Sequence, residues 1–303
     1  MTPGVRLERA HLTLQARSSR EESLVLGLPE GVNVQEVTLD GAVRPWRPAE
    51  GRLRITLPAG SHRVEVRWHQ DRGMAVAYVL PRVALPGSAA NTHLVLNLPP
   101  NRWLLFVRGS SWGPSVMFWA YLIFALLVAS VLGRIPGSPL TSRQWALLAL
   151  GLSQISAVGA LIVAGFFLAL SWRQRRPLER AVFFNVLQIG LVLWALVAAI
   201  LLYHAIETGL LFRPDMQVAG NGSTGTELRW YADRIVDVTP TAGVVSLPLW
   251  VYRGAMLLWA LWLASSMVRW VVWAWRAFTE RGAWHVQPPS SKKPPVEPST
   301  EKA

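Results

Sequence analysis

The chain has 303 residues, 51% of them hydrophobic, and a formal net charge of +12. It contains no cysteine, which excludes disulfides, thiolate metal sites and cysteine nucleophiles. The basic excess does not point to nucleic acid, because the arginines are scattered along strands or sit beside apolar runs, where membrane flanks account for them.

Polarity is unevenly distributed along the chain, which predicts two units. Residues 1–110 are polar and strand-like. The first residues, MTPGVRLERAHLTL, lack the apolar centre of a signal peptide, so an exported β region would imply a natural start upstream of Met1. Period-two alternation places Leu12, Leu14 and Ala16 on one face, then Leu24, Leu26 and Leu28. The pattern returns in Leu53, Ile55 and Leu57, in Val64, Val66 and Trp68, and in Leu94, Leu96 and Leu98. Asp40-Gly41 suits a type I′ hairpin, in which both central residues need positive φ. Glu50-Gly51 and Pro58-Ala59-Gly60 punctuate later strands. Short, regularly spaced strands of this kind predict a β-sandwich. His62 and His69 flank one strand without metal-ligand spacing, and no metal or cofactor is expected.

Arg102 to Val107 reads as a last strand running into the membrane surface. Gly109-Ser110-Ser111-Trp112-Gly113 formally matches G-x-S-x-G between a strand and a helix. A nucleophile elbow needs a buried parallel sheet with Asp and His following, whereas the helix here enters lipid and only His204 and His285 follow. The motif is therefore expected to be a turn, with Trp103 and Trp112 anchored at the headgroups.

Apolar runs predict membrane segments over 115–133, 145–171, 181–203 and 248–268. Beyond the last, a Trp- and Arg-rich continuation to Phe278 suits the interface. Ser153, Gln154, Ser156, Asn185 and Gln188 are polar within these runs, where lipid offers them no partner. They either hydrogen-bond between helices or line a solute path, and packing is the preferred reading. Arg253 is expected to snorkel to water or to pair with Glu207 or Asp237. In the 204–245 stretch, an extramembrane loop, Asp215 and Asn221 are candidate contact residues in a turn-rich sequence. An ordered cap packed on the β region is favoured there over a plain connector. After His285 the composition of Pro, Ser, Lys and Glu predicts disorder over 280–303.

The basic stretch Ser171–Arg180 and the C-terminal residues Arg269, Arg276, Arg281, Lys292, Lys293 and Lys302 are cytoplasmic by the positive-inside rule. If the 145–171 run crosses once, the β domain is cytoplasmic too. If it is re-entrant and broken at Ser153–Ser156, Arg134 and Arg143 join the cytoplasmic side and the β domain lies outside. Charge alone leaves both open.

The segments LTLQARSSREESLVLGLPEGVNVQEVTLDG, RITLPAGSHRVEVRW, LNLPPNRWLLFVRGSSWGPSVMFW and PDMQVAGNGS resemble large bacterial inner-membrane proteins of uncharacterised activity. Those proteins carry extensive exported β-rich regions before a C-terminal membrane part. The resemblance implies that this chain is a C-terminal portion with a periplasmic β domain, and it supplies no catalytic residues. The fold expected is thus a β-sandwich domain (1–110) followed by an α-helical transmembrane bundle (111–279) of about four membrane segments. The function expected is a multi-pass inner-membrane protein, not an enzyme, whose β domain binds or scaffolds other envelope proteins or polymers. The alternatives are a transporter or channel subunit using the polar second and third helices, and a membrane hydrolase centred on Ser111.

Overall fold

A computed structural model describes residues 1–4, 6–46, 48, 49, 52–175, 181–280, 282 and 284. Glu50-Gly51, Arg176, Arg180, His285 and the lysines of the tail lie outside the described residues.

The alternating stretches fold as antiparallel strands. Strands β1 (Thr2–Pro3), β2 (Glu8–Ser18), β4 (Val32–Leu39), β5 (Ala42–Val43) and β8 (Gly60–Gln70) form one sheet in the order β1-β2-β8-β4-β5. Strands β3 (Glu22–Gly27), β6 (Pro48–Ala49) and β7 (Arg52–Leu57) form a second, in the order β3-β7-β6. The apolar residues of the two sheets meet in one core. Val34, Val37, Val64, Val66 and Trp68 come from the first sheet, and Leu24, Leu26, Leu53, Ile55 and Leu57 from the second. Register follows the pattern, because a one-residue slip would send every buried side chain to solvent. β2 and β8 pair without a break from Glu8↔Gln70 to Ser18↔Gly60. Asp40 and Gly41 have φ of 51° and 82°, the two positive values a type I′ turn requires.

A second β unit is discontinuous in sequence. It comprises β9 (Ala77–Val79), β10 (Ala89–Asn97), β11 (Arg102–Gly109) and β12 (Ser115–Val116), with β13 (Val218–Ala219), β14 (Glu227–Ile235) and β15 (Ala242–Pro248) from the stretch expected to be a loop. β10 pairs with β14, β15 lies between β11 and β9, and β12 pairs with β13. Tyr78, Leu80, Leu96, Leu98, Leu104, Leu228, Trp230, Ala242 and Val244 form its core. The β region therefore extends beyond residue 110. The physical reason is that β14 and β15 pair with β10 and β11 and help to cover their apolar faces. Bridges Gly27↔Ala84 and Ala84↔Val238 tie the two β units together.

The described residues hold five helices: α1 (Phe118–Leu132), α2 (Ser142–Leu152), α3 (Ala157–Arg175), α4 (Ala181–Leu211) and α5 (Leu249–Thr279). Three of them, α3, α4 and α5, are long and apolar enough to cross a membrane, and α1 is a shorter apolar helix of 15 residues. The expected 145–171 segment is two helices broken at Ser153–Ser156. α5 is a single helix of 31 residues that carries both the expected span and its Trp- and Arg-rich continuation through Phe278.

Side-chain contacts give the direction of each helix. Beyond α1, the turn at Pro136 and Gly137 accepts hydrogen bonds from Arg175 Nη1 (2.9 Å) and Ser171 Oγ (3.0 Å), at the C-terminal end of α3. Arg173 Nη1 donates to Ala277 O (2.6 Å) near the end of α5. Gln188 Nε2, near the start of α4, donates to Phe278 O (3.3 Å). The α1–α2 turn, the end of α3, the start of α4 and the end of α5 thus share one end of the bundle. The β units occupy the other. α2 and α3 form a hairpin that enters and leaves at the arginine-bearing end. Its tip lies level with Trp259, whose Nε1 donates to Leu147 O (2.7 Å), and with Leu201, which Gly159 approaches.

Candidate functional site

The five polar residues expected within the membrane runs fall into two separate sets. Ser153, Gln154 and Ser156 are at the hairpin tip. Ser153 Oγ donates to Leu150 O (2.6 Å), and Gln154 Nε2 donates to Ser153 Oγ (3.3 Å). Ser156 Oγ accepts from Gly159 N (3.2 Å), capping the start of α3. The bonds to Leu150 O and from Gly159 N satisfy backbone groups freed by the break in the helix. Gln188 and Asn185 lie at the opposite end, in the first turns of α4. From Gln188 to Leu201, level with the tip, is about 20 Å at about 1.5 Å per residue. The two sets do not line a common path.

At that lower end Arg173 is 2% exposed and buried among three helices. Its guanidinium lies 5.0 Å from the Phe184 ring and 5.6 Å from the Phe278 ring, besides donating to Ala277 O. This joint of α3, α4 and α5 was not anticipated from the sequence, where Arg173 looked like one more loop arginine. Its signal was position: two residues before the helix end, with aromatic residues at the neighbouring termini.

The remaining candidates order turns. Asp215 Oδ1 accepts from Gln217 N (2.8 Å), a local Asx contact. Asn221 has φ of 50°, and its Nδ2 donates to Trp112 O (2.8 Å). Arg253 is exposed and forms no ion pair with Glu207 or Asp237; Glu207 lies 3.6 Å from His204 instead.

The two glycines of Gly109-Ser110-Ser111-Trp112-Gly113 have a packing role. A Cβ at Gly109 would lie 2.6 Å from Trp230 Nε1, and one at Gly113 would collide with the same indole. Glycine is needed because Trp230, 1% exposed, fills the space that side chains would occupy. Ser110 Oγ accepts from Thr241 N (3.1 Å), bracing the turn against the start of β15. Ser111 Oγ has no hydrogen-bond partner among the described residues, so no imidazole is aligned on it.

On the β surface, His62 Nδ1 lies 2.7 Å from Asp40 Oδ2. That contact lowers the Asp40 carboxyl and raises the His62 imidazole from their ordinary values. Where the two β units meet, Glu8 is 1% and Tyr78 0% exposed. Burial, and then the Glu8 carboxylate, push the Tyr78 phenol upward, and Arg72 lies 5.2 Å over the Tyr78 ring. A concavity beside this junction is lined by Arg9, His11, Gln35, Arg67 and Asn97. Among the described residues no group of three or more His, Asp or Glu converges to hold a metal ion. Protein-family models, curated proteins and solved structures offer no match to this chain.

Proposed function

We propose that the protein is a multi-pass bacterial inner-membrane protein that holds a two-part β module on the periplasmic face as a binding or scaffolding surface for other envelope proteins or polymers. We take it to be the C-terminal part of the large β-rich membrane proteins that its sequence resembles, and to be non-enzymatic. One observation carries the reading. The strands between α4 and α5 pair with the strands before α1, so the β module is joined to one end of the bundle at the starts of α1 and α5 and at the end of α4. Trp119 Nε1 donates to Leu105 O (2.7 Å), and the Trp103 and Tyr252 rings are 5.3 Å apart, which stiffens that seat. A platform of this kind suits presentation of a surface better than conduction, and the polar residues Ser153, Ser156 and Gln188 are engaged in caps and a helix joint.

The first β unit is read as a β-sandwich, supported by two sheets whose inner faces share one core. The membrane part is read as four segments: α1, a re-entrant α2–α3 hairpin, α4 and α5. Re-entrant backbone is tolerated where protein buries it, and Leu152 is 2% exposed at the tip. This arrangement puts Arg134, Arg143 and Arg175 on one side with the C-terminal arginines, as the positive-inside rule asks of a cytoplasmic face.

The test is sidedness. Single cysteines at Ser61, Gln174 and Ser223 in this cysteine-free chain report separately to an impermeant thiol reagent on spheroplasts. Labelling at Ser61 and Ser223 but not at Gln174 is expected. Labelling at Gln174 with protection of Ser61 would overturn the orientation, and labelling of Ser223 without Ser61 would overturn the single β module.

A further inference from the structure

We propose that the end of the bundle opposite the β module is a docking surface for anionic phospholipid headgroups, built by Arg134, Arg143, Arg175, Arg269 and Arg276. The inference rests on the reading of these helices as membrane-embedded, and it goes on to name the lipid chemistry that they select.

All five arginines are exposed, and none forms an ion pair among the described residues. The contrast with the rest of the molecule is sharp. Every ion pair among the described residues lies in the β units or, for His204–Glu207, toward the β end of α4. At the arginine end the one described carboxylate is Glu280, and it accepts from Gln174 Nε2 (2.8 Å). Among the described residues these five cations are paired with no carboxylate, and anionic headgroups would supply that counter-charge.

Geometry adds to charge. Arg134 and Arg143 flank the α1–α2 turn, which holds no acidic residue. Arg175 is held over that turn by its bonds to Pro136 O and Ser171 Oγ (2.9 and 3.0 Å). Arg269 and Arg276 are two helical turns apart on one exposed face of α5. Exposed Trp172 and Trp275 stand among them, amphipathic rings suited to headgroup depth. A guanidinium presents a planar fork of donors that matches two phosphate oxygens. A zwitterionic headgroup brings its own cation along with its phosphate, so a surface with net positive charge prefers the anionic lipid.

The full chain, reconstituted in phosphatidylcholine vesicles, would be probed with spin-labelled phosphatidylglycerol and spin-labelled phosphatidylcholine. The fraction of motionally restricted label gives relative affinity for the protein surface. A severalfold preference for phosphatidylglycerol is expected, and it should shrink with salt as the screening length falls from about 10 Å at 0.1 M to about 3 Å at 1 M. The variant Arg134→Gln, Arg143→Gln, Arg269→Gln, Arg276→Gln should lose the preference. It spares Arg175, whose bonds brace the turn. A control, Arg17→Gln with Arg234→Gln at the β end, should retain it. Equal restriction of the two lipids by the unaltered chain, or an undiminished preference in the fourfold variant with its circular dichroism unchanged, overturns the proposal. Its failure is distinguishable from that of the sidedness reading. Lipid selectivity is measured without reference to which face is cytoplasmic, and cysteine labelling is independent of lipid charge.

Discussion

Asp40 shows how one residue serves both the local turn and the strand beyond it. Its φ of 51° starts the hairpin, its Oδ1 accepts from Arg63 N (2.8 Å), and its Oδ2 faces His62 Nδ1. Asn tolerates the same backbone and can accept the same amide, so Asp40→Asn removes the charge and little else. The signs are opposite for the two partners. His62 is raised above 6.5, so its contribution is fully present below that value and fades as pH rises through the folded pKa. Asp40 is lowered below 3.8, so its contribution is present above that value and fades as pH falls through the folded pKa. The pair therefore supports the fold most between those limits. In Asp40→Asn the His62 resonance, followed by NMR titration, should move its midpoint down toward 6.5, and both flanks of pH-dependent stability should flatten. An unchanged midpoint would mean that another group holds the imidazole.

Among the elements, β14 carries the second β unit. Trp230 sits at its centre, against Gly109 and Gly113, and Leu228 beside it is 0% exposed. Trp230→Ala should cost about 3–5 kcal/mol, the usual range for truncating a buried Trp. The loss should be local, because the first β unit has its own core. Limited proteolysis read by mass spectrometry should find new cleavages in 213–248 and 77–109, while strands β2 to β8 stay protected. Cleavage spread evenly over both units would show that they unfold as one. The α2–α3 hairpin is a different case. Its break survives inside the bundle because Ser156 Oγ accepts from Gly159 N to cap α3 and Ser153 Oγ donates to Leu150 O, while Thr141 and Gln144 form a reciprocal cap at the other end of α2. A mid-bundle break without the Ser153 and Ser156 contacts would leave backbone groups unpaired in an apolar setting.

For the whole molecule, the important quantity is how firmly the β module is seated. Trp103 is the central contact: it packs on Tyr252 of α5, and its Nε1 points to Met216 Sδ (3.3 Å). It borders both the bundle core and the smaller cluster of Phe118, Leu122 and Met216. Trp103→Ala should loosen the module without unfolding either part. Pulsed EPR distances between labels at Ser61 and Gln174 should broaden, while circular dichroism stays the same. A narrow, unshifted distribution would mean that strand pairing alone fixes the orientation. Beneath, Arg173 holds the far ends of α3 and α5 together, so the bundle is tied at the end that the β module does not reach.

The sequence by itself determined what depends on neighbours in the chain. Alternation of Leu53, Ile55 and Leu57, or of Val64, Val66 and Trp68, marked strands because facing is set by a period of two. Asp40-Gly41 marked its turn because the positive φ is a property of those two residues. The apolar runs marked helices long enough to cross a membrane because length and hydropathy are additive along a segment. Tertiary structure decided what depends on distant partners. Leu228 and Trp230 alternate as β14 requires, but nothing local says that their partners are Leu96 and Leu94, more than a hundred residues earlier. The two halves of 145–171 are equally apolar, so hydropathy cannot tell a kinked crossing from a hairpin. The contacts of Ser171 and Arg175 with the α1–α2 turn show the two halves folded back on each other as antiparallel helices. Likewise Gln154 and Gln188 look alike in sequence, yet one ends at a hairpin tip and the other at a helix joint, because a polar side chain takes its role from the acceptor that packing brings to it.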